Sequence, residues 1–322
     1  MVRSQMLYPA LNTTWLRNFA LLFVVLLTSC TTSLTAKAQA GRGVYFYQLS
    51  GNSYGSDEIV GTNNTTAENQ MITNLKSWGI TKVYGGYSTT IAANPAYVRS
   101  WNTLLANNGI ASYALLSSTN YFLPSESTQA SAWLSTNFLT FNANTTADSQ
   151  KFVGVMMDVE PQSFSGDSND LSWNASTNAG RRTYVGDLLT LIQSYRSSIT
   201  SLESSSVPLD TTLPTWFYEL NETIGWADQD DVTTWFSSLG AAINSVSLMD
   251  YGTSSVSLIE SRYTANAALL PSGGITIALS SAIGSEWSSF TEMWDALLDV
   301  ESDESLYCDI NSYDTLAPDE GM

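Results

Sequence analysis

The chain has 322 residues, 43% of them apolar and only 13% charged, and its 30 acids against 12 basic residues give a formal charge of −18. That length suits one large domain or two small ones, the apolar fraction excludes global disorder, and the charge excludes nucleic acid and anionic membrane surfaces as partners. With no histidine and only two cysteines, histidine bases, histidine triads and Cys/His metal centres are excluded, leaving carboxylates, Tyr, Ser or a hard metal.

Residues 1–40 read as a leader and short linker. Arg17 precedes "FALLFVVLLTSC" (19–30), an apolar run too short to span a bilayer and followed by small polar residues, as in a secretory signal. Two exits compete. "LTSC" resembles a bacterial lipobox, which leaves Cys30 as a lipidated first residue anchored to the membrane. "AQA" (38–40) is an A-x-A site that starts the mature chain at Gly41. The lipobox lies directly against the apolar run and is favoured, so the chain is expected to be secreted or lipid-anchored at the cell envelope. With Cys30 so used, Cys308 is expected to stay a reduced, buried thiol.

From residue 41 to 322 short apolar runs alternate with longer amphipathic ones. The strands are predicted over 43–49, 81–87, 110–116, 152–158, 208–213, 245–251, 275–281 and 306–312. Helical patterns lie near 67–78, 95–108, 127–141, 177–203, 230–242, 256–270 and 290–302. Asp230 and Asp231 stand where an N-cap belongs, and Gly79, Gly109 and Gly240 where C-caps belong. Eight strands alternating with helices predict one α/β domain, a (β/α)₈ TIM barrel. The rival, a doubly wound open sheet, would want a G-x-G-x-x-G turn after the first strand, and none is present.

The stretch "FVGVMMDVEPQ" (152–162) runs a buried strand straight into Asp158 and Glu160. Roughly three acid-x-acid pairs are expected by chance in so acidic a chain, so context decides. A barrel strand is apolar on both faces, and polar groups appear at its C-terminal mouth, where barrel enzymes keep their chemistry. Residues two apart share a face, so the two carboxylates project together. Burial and mutual repulsion would raise the pKa of one, giving an acid beside a base, as glycoside hydrolysis needs. The bland alternative is that both acids cap the following loop.

"GVMMDVEP" (154–161) resembles the D-x-x-D-x-D-x-E signature of the chitinase-like family 18 glycoside hydrolases, with its last two acids on Asp158 and Glu160. "VSLMDYG" (246–252) similarly resembles that family's M-x-Y-D, with the tyrosine at Tyr251. The resemblance implies Glu160 as the acid that protonates the glycosidic oxygen. It implies Asp158 as the partner orienting the substrate's N-acetyl group and Tyr251 as a stabiliser, with no cofactor. The chain departs from the motif at Val153, Met156 and Gly252, where the family has acids. Family 25 muramidases also carry D-x-E on strand four and an opening strand similar to "GVYFYQLSG" (43–51), with Tyr45 or Phe46 in place of their Asp. A looser group of secreted glycosidase-like barrels, with D-[VI]-E-P on strand four and S-L-M-x-Y on strand six, is similar as well.

Aromatic side chains offer flat faces to sugar rings, although most aromatics in a barrel are filling. Tyr45, Tyr47, Tyr87 and Trp216, with Asp250, are the candidate substrate contacts; Trp78, Trp101, Trp133 and Trp235 fall inside helix patterns and are expected in the core. The expected protein is a monomer whose mouth takes a carbohydrate and hydrolyses it. A non-catalytic glycan-binding barrel is the alternative. A third reading gives Asp158, Glu160 and Asp250 a hard cation such as Ca²⁺ or Mg²⁺.

Overall fold

Eight strands close on themselves: β1 (Arg42–Phe46), β2 (Ile80–Gly85), β3 (Ala111–Ser118), β4 (Gly154–Val159), β5 (Leu209–Pro214), β6 (Ser245–Asp250), β7 (Gly274–Ser280) and β8 (Cys308–Asn311). The computed structural model describes residues 41–221, 223–270 and 274–319. The leader, Cys30 and the 38–40 site lie outside the described residues. Each strand pairs in parallel with its chain neighbour, and Val44 of β1 against Ile310 of β8 completes the ring. This is a (β/α)₈ barrel. Strand edges differ from the predicted ones by a few residues; β1 stops at Phe46 because Tyr47–Leu49 leave the ladder.

Alternation within the strands makes both layers of core. In β1, Val44 and Phe46 pack outward under the helices while Tyr45 fills the barrel. Inside, Tyr84 packs tilted against Tyr45 and edge-on against Tyr113, with ring centroids 5.0 and 5.5 Å apart, in one cluster with Met156 and Ala278. Towards the strands' N-terminal ends the filling turns polar. The carboxylate of Asp309 accepts from Gly43 N (2.8 Å), Ser247 Oγ (2.7 Å) and Thr276 Oγ1 (2.6 Å). Position 43 has to be glycine, since a Cβ would lie 2.4 Å from Asp309 Oδ1 and 2.5 Å from the Tyr84 ring. Asp210 is fully buried and neither oxygen meets a donor in hydrogen-bonding geometry, although Ser245 stands near it. Burial pushes its pKa up to about 6, against the pull of the Lys82 charge.

The outer layer contains α1 (Thr65–Ser77), α2 (Pro95–Asn107), α3 (Ser127–Leu134), α4 (Asn178–Leu202), α5 (Gln229–Ala242), α6 (Val256–Ala267), α7 (Phe290–Glu304) and α8 (Tyr313–Asp319). Their starts follow cap chemistry. Thr177 accepts from Gly180 N and Asn64 from Ala67 N. For α5 the cap is Asp228, which accepts from Asp231 N at 3.0 Å. Asp230 and Asp231, read as caps in the sequence, lie in the first turn, where their charges still favour the helix N-terminus. Gly79 and Gly109 follow α1 and α2 with φ of +66° and +74°, whereas Gly240 lies within α5. Trp78, Trp101 and Trp235 are core; Trp133 is only half-buried. Cys308 is a free thiol, buried at the start of β8.

Candidate functional site

The site is built from the end of β4. Asp158 is the last inward residue of that strand and is 2% exposed. Tyr47 Oη donates to its Oδ2 (3.1 Å) and Thr212 Oγ1 to its Oδ1 (3.0 Å). Burial pushes the Asp158 pKa up to about 7; the Glu160 charge adds to the rise, and the two hydroxyls oppose it. Glu160 follows the strand, and its N–H still donates to Ser118 O (3.0 Å), so the β3–β4 ladder fixes its backbone. Pro161 then opens a single 3₁₀ turn, Pro161–Ser163. That turn brings Gln162 Nε2 (2.9 Å) and Ser163 Oγ (2.8 Å) to one oxygen of the Glu160 carboxylate. The proline turn thus holds the carboxylate that precedes it, which gives the D-x-E-P run a local cause.

Tyr251 enters from the end of β6. Its hydroxyl oxygen accepts from Asn311 Nδ2 of β8. Burial, and then the Asp158 charge, hold its pKa well above the ordinary phenol value, so it stays protonated. Its own O–H meets no acceptor among the described residues and remains free to donate. Two cavities open on this mouth. One, of about 210 Å³, is lined by Tyr47, Ser117, Tyr121 and Trp133 among others; the second, of about 240 Å³, by Glu160, Trp216, Tyr251 and Arg262 among others. Ser117, on the wall of the first cavity, pairs with Asp158 across β3–β4. Each is smaller than the roughly 300–1,000 Å³ of a drug-sized pocket, and so suits one ring-sized group.

No family model matches the chain, and no curated protein matches it in sequence. Solved structures match its fold. The β-mannanase of Thermomonospora fusca, in complex with mannotriose, aligns with a TM-score of 0.51 at 14% identity, over 85% of this chain and 78% of that one. The endo-1,4-β-mannanase of Eisenia fetida gives 0.50 at 14% identity over 85% and 84%. A chitinase of Chromobacterium violaceum gives 0.44 at 14% over 76% and 69%. The likeness is one of fold. It places the chain among (β/α)₈ barrels that include glycoside hydrolases, a fold whose chemistry sits at the mouth where Asp158 and Glu160 lie.

The remaining candidates of the barrel divide by depth and face. Trp216 lines the Glu160 cavity and Tyr47 the other. Tyr45 is a correction: it is 1% exposed, one layer below the mouth, with its hydroxyl against Met156 Sδ (4.0 Å), and is barrel filling. Tyr87 is another. It lies beyond β2 in the outer core, and its hydroxyl accepts from Trp101 Nε1 (2.7 Å). Asp250 is a third, because it neighbours Tyr251 on the strand and therefore faces outward, where it pairs with Arg262. Asp158, Glu160 and Asp250 consequently do not converge on a cation, and no group of three such ligands occurs among the described residues. Three mouth residues escaped the sequence reading: Arg262, Asn311 and Trp133. Nothing in a helix pattern or a strand's last residue marks them, since only the closed barrel brings Arg262 beside Glu160, Asn311 to Tyr251 and Trp133 beside Tyr47.

Proposed function

We propose that this barrel acts on glycans as a glycoside hydrolase, with Glu160 as general acid, Asp158 as its partner and Tyr251 as a donor to the substrate. One observation carries the reading: a mouth-facing Glu160 stands two residues from a buried Asp158 whose pKa is pushed up to about 7. Near pH 7 a carboxyl with that pKa is about half protonated, so a proton is held beside Glu160. That proton is what cleavage requires. Glu160 gives it to the glycosidic oxygen as the bond to the anomeric carbon breaks; water then adds to that carbon and returns a proton to the carboxylate. Trp216 offers a face for the sugar ring and the free Tyr251 O–H a hydrogen bond to its substituent. The mannotriose held by the Thermomonospora fusca enzyme supports a carbohydrate ligand for this fold.

A second reading, a glycan binder without catalysis, has its own support. Met156 fills the inward position below Asp158, where the family 18 signature has an acid. Glu160 is also the only carboxylate among the described residues that line its cavity. Release of reducing ends and binding, measured together on chitin, peptidoglycan and neutral glycan oligomers, separate the two. Turnover by the wild type is expected. It should fall about 10²–10⁴-fold in Glu160→Gln while binding persists. Binding by the wild type with no cleavage anywhere on the panel would establish the binder instead.

A further inference from the structure

Arg262 is the basic residue of the Glu160 cavity. The chain has 12 Lys and Arg against 30 acids, and among the described residues only Arg262 brings a cation to that cavity. Its position is built. Nη1 donates to Asp250 Oδ1, and the Asp250 side chain is wholly buried between β6 and α6. Asn266, fully buried on the same helix, donates both to Arg262 O (2.9 Å) and to Thr215 O (2.8 Å), next to Trp216. The helix is thereby tied to the loop that carries the aromatic face.

One end of the guanidinium is held, yet the side chain remains 31% exposed. Nε and Nη2 have no partner among the described residues. Glu160 does not pair with Arg262; the hydrogen bonds it accepts come from Gln162 and Ser163, both at Oε2. A rigid fork of N–H donors facing a sugar-sized cavity matches a planar carboxylate better than a hydroxyl. The overall charge of −18 opposes an acidic ligand at long range, but that field is screened beyond about 8 Å at physiological salt. Contact with the fork therefore decides.

We propose that the Glu160 cavity is specific for a carboxylate-bearing sugar, whose carboxylate is received by Arg262 while Trp216 covers the ring. This rests on the glycan-acting reading above. The test measures binding of two matched pairs: a hexuronic acid oligomer and its carboxyl-reduced form, and muramic-acid-bearing glycan strands with and without carboxyl reduction. The wild type is expected to favour the acidic member of at least one pair. Arg262→Gln should weaken that member by about 10–100-fold and leave the reduced one nearly unchanged. Arg262→Lys, with charge but no fork, should fall between. Because Arg262→Gln leaves Asp250 buried and unpaired, the double variant Arg262→Gln/Asp250→Asn is measured too and should show the same loss. Equal binding of acidic and reduced forms by the wild type, or a preference that survives Arg262→Gln, would overturn the proposal while leaving a glycan site in place. Binding of no member of either pair would overturn the proposal as well, and the glycan-acting reading falls with it only if chitin and the neutral glycan oligomers also fail to bind.

Discussion

Tyr47 reaches from the end of β1 to Asp158 on β4, and its hydroxyl favours the ionised carboxylate over the neutral one. Tyr47→Phe removes that donor and leaves the ring. The Asp158 pKa should then rise above about 7, carrying the alkaline limb of the pH–rate profile upward. A merely structural tyrosine would lower activity at every pH without moving the limb. Tyr45 and Tyr47 also show what residue-level reading can deliver. Both lie on the inward face, as their spacing requires, yet one is filling and the other reaches the mouth. Period two tells the side of a strand; height along the barrel depends on stagger with neighbouring strands. Tyr87 escapes even the period, because β2 ends at Gly85 and the chain turns into the Ser88–Ala93 helix.

At the scale of elements, the strands were legible because parallel barrel strands are buried on both faces and stand out as apolar runs. Helix α4 was legible almost to the residue: a helical pattern near 177–203 became Asn178–Leu202. Less legible was the chemistry that closure creates. Asp309 on β8 gathers donors from β1, β6 and β7, and Thr212 of β5 meets Asp158 of β4. Those partners are far apart in the chain and carry no local pattern. The same holds for Arg262, an exposed-looking basic residue until β6 and α6 pack together. Where a motif had a local cause it could be read: Pro161 after Glu160 announces the turn that supports the carboxylate.

At the scale of the whole molecule, two buried aspartates with raised pKa values couple the fold to pH. Burial lifts Asp158 to about 7 and Asp210 to about 6 from the ordinary value near 4. Between those limits the folded chain binds more protons than the unfolded one, so stability falls as pH rises. Their contribution is fully present below about pH 4 and is gone above about pH 7. The Tm of the wild type should therefore fall from pH 5 to pH 8, and Asp158→Asn should flatten that slope. The central claim is that burial, with the Glu160 charge beside it, holds Asp158 half protonated near neutrality at the mouth of the barrel. Its most direct test is a ¹³C NMR titration of the Asp158 carboxyl in the wild type and in Glu160→Gln. Half-protonation near pH 7 is expected in the wild type, falling in the variant as the neighbouring charge is removed but staying above 4 because burial remains. An Asp158 that titrates near pH 4, or one indifferent to Glu160→Gln, would contradict it.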